Sequence, residues 1–173
     1  MKCPTTKHPV VANADGEVYE AEGRFGPERF ACAYSNGRAS ALGPKPEYTP
    51  SGGGGVEKET LGGSVIAYEK FVVVSEGHSD WMVIVLDLRT GRVLHRVASM
   101  GGFVQSLVVR SDGSVAWIVD EGGKPEESKV VSVDKTGTHT LAAGVGIAPM
   151  SLALAGSTLY WTQNRTPFSA LLN

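Results

Sequence analysis

The sequence predicts an all-β chain of four antiparallel, four-stranded repeats, the last lacking its final strand. Three observations carry this expectation: an excess of glycine, β-branched runs that alternate with Gly-bearing turns, and an entry phrase that occurs twice. Glycine contributes 22 of 173 residues, nearly twice the ~7% of average proteins, and punctuation that dense leaves segments too short for long helices. The length matches one ordinary domain, and a hydrophobic content of 42% is enough for it to bury a core.

The pattern is clearest over residues 104–144. A β-branched run ending at Val109, the turn Asp112-Gly113 and a second run from Val115 to Val119 have the sequence form of a hairpin. The run from Lys129 to Val133, the turn Lys135-Thr136-Gly137 and the run from Thr138 to Leu141 repeat that order. The N-terminal copy, residues 10–43, places Asp15-Gly16 and Asn36-Gly37 at its two turns. A further copy, residues 64–100, has strands expected at 65–68, 71–74, 81–88 and 92–97, the last pair joined through Arg89-Thr90-Gly91. Its third strand is apolar on both faces. The fourth copy, residues 148–173, stops after its third strand. The entry phrases Gly102-Phe103-Val104-Gln105-Ser106-Leu107 and Gly146-Ile147-Ala148-Pro149-Met150-Ser151-Leu152 share a Ser-Leu at the start of a first strand.

Between the first two copies, residues 44–63 hold three prolines and six glycines. This segment is expected as an exposed crossing loop. Gly52 to Gly55 do not read as a phosphate cradle, because no Lys-Ser or Lys-Thr follows and no strand is expected before them.

Four-stranded units of about 40 residues, ending in turns such as Asp87-Leu88-Arg89-Thr90-Gly91-Arg92, have the form of β-propeller blades. On those residues the chain resembles the PQQ-like and YVTN-type propeller repeats of secreted bacterial proteins, in which an Asp closes the third strand and Thr-Gly makes the turn. The resemblance implies a single β-propeller-like domain. It departs at tryptophan: Trp117 and Trp161 fall on second strands and none follows the Thr-Gly turn, so docking of neighbouring repeats must use other side chains. Four copies would close as a very small ring, remain an open array, or close through a second subunit.

Charge narrows the partners. Sixteen Lys plus Arg against 18 Asp plus Glu leave a net charge of -2 with both signs scattered, which implies no surface for nucleic acid or anionic lipid. The longest apolar stretches, such as Met82 to Leu86, are far too short for a membrane helix. The first residues lack the apolar core of a signal peptide, yet they reach a cysteine at once, as a processed chain carrying an added Met would. Cys3 and Cys32 are the two cysteines. A disulfide between them would hold the N-terminal arm and contribute about 3.5 kcal/mol in the chain-entropy model; the alternative is two free thiols. The expected location is secreted or extracytoplasmic. Asn164-Arg165-Thr166 fits a glycosylation tripeptide, weakened by the Pro167 that follows.

Candidate chemistry is thin. His8, His78, His95 and His139 lie in separate parts of the chain with no second ligand at metal spacing, so no cofactor or metal is expected. Glu76-Gly77-His78-Ser79-Asp80 groups an acid, an imidazole and a hydroxyl, and reads as a solvated turn. The Asp-Gly pairs are turn chemistry and lack the ligand set of a calcium loop. Entries to the innermost strands would bring Ser64, Gln105, Ser106, Met150 and Ser151 to one end of a central channel, with His8 beside them. This neutral set suits a water, an ion or a small polar ligand, and lacks the groups for metal-assisted hydrolysis. Trp81, Trp117 and Trp161 are expected in the core, with an aromatic glycan-binding surface as the alternative.

The function expected is that of a non-catalytic scaffold or binding module, associating with itself, another protein or a glycan. The alternative is a self-assembling structural subunit, forming a filament or ring by strand addition at an edge that carries Phe168, Leu171 and Leu172. A propeller hydrolase or lyase is the least favoured class.

Overall fold

The computed structural model describes Cys3 and residues 8–24, 26–49, 52–75, 78–121 and 124–173. These residues form strands and turns and contain no helix. The first sheet holds β1 (Val11–Ala12), β2 (Gly16–Gly23), β3 (Gly26–Ala33) and β4 (Ala39–Pro44). The second holds β5 (Glu47–Thr49), β6 (Gly52–Gly62), β7 (Val65–Ser75), β8 (His78–Asp87) and β9 (Arg92–Ala98). The third is β10 (Val104–Val109), β11 (Val115–Glu121), β12 (Lys124–Asp134) and β13 (Gly137–Ala143), and the fourth is β14 (Ala153–Ala155), β15 (Thr158–Gln163) and β16 (Thr166–Leu171). Each is an antiparallel meander in chain order, with four, five, four and three strands.

The second sheet departs from the sequence reading. Residues 52–62, expected within a crossing loop, form β6, and the two strands expected at 65–68 and 71–74 are one strand, β7. The glycines serve close approach between backbones. A Cβ at Gly55 would lie 2.4 Å from Pro46 Cα, where the connection from the first sheet crosses β6. A Cβ at Gly62 would lie 2.3 Å from the Val109 carbonyl of β10. Strand β7 continues through Glu69, which lies between the two expected strands, because its side chain is buried and accepts the Val104 N–H at 2.9 Å.

The sheets stack face to face in chain order. Val18, Ala31 and Leu42 of the first pack with Ile66, Ile84 and Leu86 of the second. The other face of the second sheet, through Val65, Ala67, Val83 and Val85, packs with Leu107, Val115, Trp117 and Val131 of the third. Ala116, Ile118 and Val130 then meet Leu159, Trp161 and Leu172. Successive side chains of a strand alternate between faces, which is why β8 is apolar from Trp81 to Leu86 and β11 from Val115 to Val119: each feeds two seams. Among the described residues no hydrophobic cluster joins the first sheet to the fourth.

Cys3 and Cys32 form a disulfide, with Cα atoms 5.7 Å apart. Cys32 lies between Ala31 and Ala33, which face the second sheet, so it occupies the opposite face of the first sheet, where the bridge ties the N-terminal segment to β3.

Candidate functional site

Both hairpins of a four-stranded meander turn at the same end of the sheet, and at that end the four sheets touch. Asn13 accepts the N–H groups of Asp15 and Gly16 at 2.8 and 3.0 Å, which closes the first turn, and its amide donates to the Gly63 carbonyl at 2.9 Å. Asn36 donates to the Arg89 carbonyl at 2.8 Å, joining the second turns of sheets one and two. A Cβ at Gly63 would meet Ser111 and Asp15, so three turns converge there.

The turns Asp87-Leu88-Arg89-Thr90-Gly91 and Asp134-Lys135-Thr136-Gly137 explain their own sequence. Asp87 accepts the Arg89 N–H at 2.9 Å and the Thr90 hydroxyl at 3.0 Å, and Gly91 takes the positive φ of 73° that ends the turn. Asp134 accepts the Thr136 N–H at 2.8 Å and its hydroxyl at 2.5 Å, while its other oxygen accepts the Asn173 N–H at 3.1 Å. Burial pushes the Asp134 carboxyl upward, but these hydrogen bonds and His139 outweigh it and hold the group below the usual carboxylate range.

Asp134 thereby captures the segment beyond β16. Arg110 donates to the Leu172 carbonyl, Ser114 donates to the Asn173 carbonyl at 2.9 Å, and the Leu172 N–H bonds the Ser157 carbonyl at 2.8 Å. Between this strap, the start of β9 and the turns of the third sheet lies a cavity of about 520 Å³ whose lining includes Arg92, His95, Arg110, Asp112, Ser114 and Lys135. Arg110 pairs with Asp112 at 3.2 Å. A second cavity of about 480 Å³ adjoins it toward the first-strand turns, sharing Arg110 and Ser157.

The polar set expected around a channel is not gathered in one place. Ser64 follows β6 in the turn to β7, so it lies at the turn end beside Gly63, while Gln105 and Ser106 begin β10 at the opposite end. The misplacement follows from reading β7 as a first strand. Ser106 Oγ is buried without a hydrogen-bond partner among the described residues. Ser151 is consumed locally: its hydroxyl donates to the Ala148 carbonyl at 2.7 Å and accepts the Thr162 N–H at 2.9 Å. Met150 is 76% exposed, and His8 is exposed.

The two entry phrases are structural equivalents. Phe103 accepts the Asp120 N–H, and Ala148 donates to the Thr162 carbonyl, each fastening the phrase to the second strand of its sheet. The extra residue is absorbed by a turn in which the Ser151 N–H returns to the Ala148 carbonyl at 3.1 Å.

Trp117 and Trp161 are core residues, and the Trp117 indole donates to the Ser99 carbonyl at 2.8 Å. Trp81 is half-buried, stacked on Phe71 and tilted against Phe103. Leu172 is buried in the last seam, which removes it from the exposed edge expected for it, while Phe168 and Leu171 remain 44% and 63% exposed. Glu76 and Gly77, and the side chains of His78 and Ser79, lie outside the described residues, and with them the Glu76–Asp80 turn.

Sequence reasoning missed two features. Glu69 was signalled by an acid inside the apolar run of β7. The cationic cavity had no signal, since its side chains come from separate turns of the second and third sheets. No protein-family model matches the chain, and no curated protein matches it.

Proposed function

We propose that the four sheets are consecutive blades of a β-propeller-like array, of the kind the PQQ-like and YVTN-type repeats form, and that the protein is a non-catalytic extracytoplasmic scaffold or binding module. The observation that carries this reading is the stacking of meander sheets in chain order with their first turns gathered at one end. The Asn13 bond to Gly63 and the approach of Gly62 to Val109 bring together the β1–β2 turn, the end of β6 and the end of β10, as blades around an axis require. The Cys3–Cys32 disulfide supports an oxidising compartment. The cavity between the turns supports a binding role, since concave sites of several hundred Å³ hold small ligands.

A membrane-impermeant, amine-reactive label applied to intact source cells tests the location: the protein is expected to be labelled, and labelling only after lysis contradicts the reading. Screening against lactones and glycans is expected to give no turnover; a turnover that survives repurification contradicts the non-catalytic assignment.

A specific observation favours a second reading, self-assembly. The fourth sheet ends at β16 with Phe168 and Leu171 exposed, and an edge of this kind accepts a strand from another chain. Light scattering separates the two: an 18.2 kDa species at all concentrations fits the first, and polymers that dissociate on dilution fit the second.

A further inference from the structure

The binding-module reading leaves the ligand open, and the cavity beside the C-terminal strap narrows it. We infer that this cavity binds a small, multiply charged oxyanion, one bearing carboxylate or phosphate groups. The inference rests on the binding-module reading and adds the ligand class.

Charge is the first reason. Arg92, Arg110 and Lys135 line the cavity with one acidic side chain, Asp112, and with the final residue Asn173 beside them, in a chain whose net charge is -2. Asp112 is already engaged: it pairs with Arg110 at 3.2 Å, and its other oxygen accepts the Ser114 N–H at 2.9 Å. Among the described residues Arg92 and Lys135 have no ion-pair partner, so two cations remain uncompensated beside a concave wall. A recess of this kind concentrates their field, because less water lies between them to screen it.

Chemistry is the second. A guanidinium presents parallel N–H groups that match the two oxygens of a carboxylate or phosphate, and an ammonium adds a point charge. His95 contributes an imidazole and Ser157 a hydroxyl, while the Ser114 hydroxyl proton is already given to Asn173. Apart from Asp112, the lining is rich in donors, which suits a ligand that is all acceptors.

Size and rigidity are the third. About 520 Å³ accommodates a small organic acid or phosphate ester and excludes a folded partner. The walls are held: Arg110 to Leu172, Ser114 to Asn173 and Asp134 to Asn173 pin the strap across the third sheet, so the cations on that side are presented by fixed turns.

Isothermal titration of the intact, oxidised protein with citrate, and separately with inorganic phosphate, at low ionic strength tests the site. Saturable binding of at least one probe is expected, weakening as sodium chloride is added. The double variant Arg92→Gln, Lys135→Gln is expected to lose at least about tenfold in affinity. Arg165→Gln, which removes one positive charge from the exposed turn at the far end of β15 and is compared with Arg92→Gln alone, is expected to stay within about twofold. A response to citrate alone assigns carboxylates, and to phosphate alone, phosphates. Absence of saturable binding to either probe overturns the inference, as does equal loss in Arg92→Gln and Arg165→Gln. Thermal melting accompanies each titration, and Arg92→Gln alone replaces the double variant if the latter does not fold. Failure with an unchanged melt removes the anion site only, while the surface-labelling result judges the module reading separately.

Discussion

Glu69 is the residue whose environment most constrains its chemistry. Its carboxyl is fully buried between the second and third sheets; Oε1 accepts the Val104 N–H, and Oε2 is buried with no partner among the described residues. Burial is the dominant influence and pushes its pKa up to about 8, with the Val104 bond opposing it and Glu57 reinforcing it. The folded chain therefore holds a proton that the unfolded chain releases near the ordinary glutamate value. The resulting contribution to stability is complete below that value and is lost as pH rises toward about 8. The melting temperature is expected to fall between about pH 5 and about pH 8, by a stability change on the order of a few kcal/mol. Glu69→Gln keeps an acceptor for Val104, cannot ionise, and is expected to flatten that slope. Circular dichroism melts across the range check this, and an unchanged slope in the variant contradicts it. Trp117 marks the same seam from the apolar side. It is fully buried and its indole is hydrogen-bonded to Ser99, so Trp117→Ala is expected to cost about 3–5 kcal/mol in chemical denaturation.

At the scale of elements, β6 shows how a glycine-rich sequence becomes a strand. Gly55 lies under the Lys45-Pro46 crossing and Gly62 under the end of β10, and each lacks space for a Cβ. Gly55→Ala is expected to destabilise by about 1–3 kcal/mol, measured as a lower denaturation midpoint at constant slope. The turns were legible because Asp-Gly and Thr-Gly carry local requirements visible in sequence, and the structure satisfies them with side chains within a few positions. The doubly apolar β8 was legible for a related reason, since a strand covered on both faces has no polar alternation. Residues 44–63 were not legible: glycine that permits flexibility and glycine that permits close approach are the same letter, and only the position of Pro46 and Val109 distinguishes them. Ser64 was misplaced as a consequence. The cationic cavity was illegible for want of local spacing, because Arg92, Arg110 and Lys135 belong to three different turn regions.

For the whole molecule, the disulfide and the stack act together. Cys3 is joined to Cys32 on the face of the first sheet that points away from the second. Reduction frees a loop of 29 residues' separation and is expected to lower stability by about 3.5 kcal/mol, seen as a lower melting temperature in reductant, with mass spectrometry reporting the bond itself. Stability of the rest depends on each sheet sharing its faces with its neighbours, so the central claim is that adjacent residues of one strand belong to different seams. Strand β11 offers the clearest case: Trp117 faces Val83 and Val85 of the second sheet, and Ile118 faces Leu159 and Trp161 of the fourth. The most direct measurement is a methyl and aromatic nuclear Overhauser spectrum of the oxidised protein. The stacked arrangement predicts cross-peaks from the Trp117 ring to the Val83 and Val85 methyls and, separately, from the Ile118 methyls to Leu159 and Trp161. Cross-peaks from Trp117 and Ile118 to one common set of side chains, or from neither to another sheet, would contradict it.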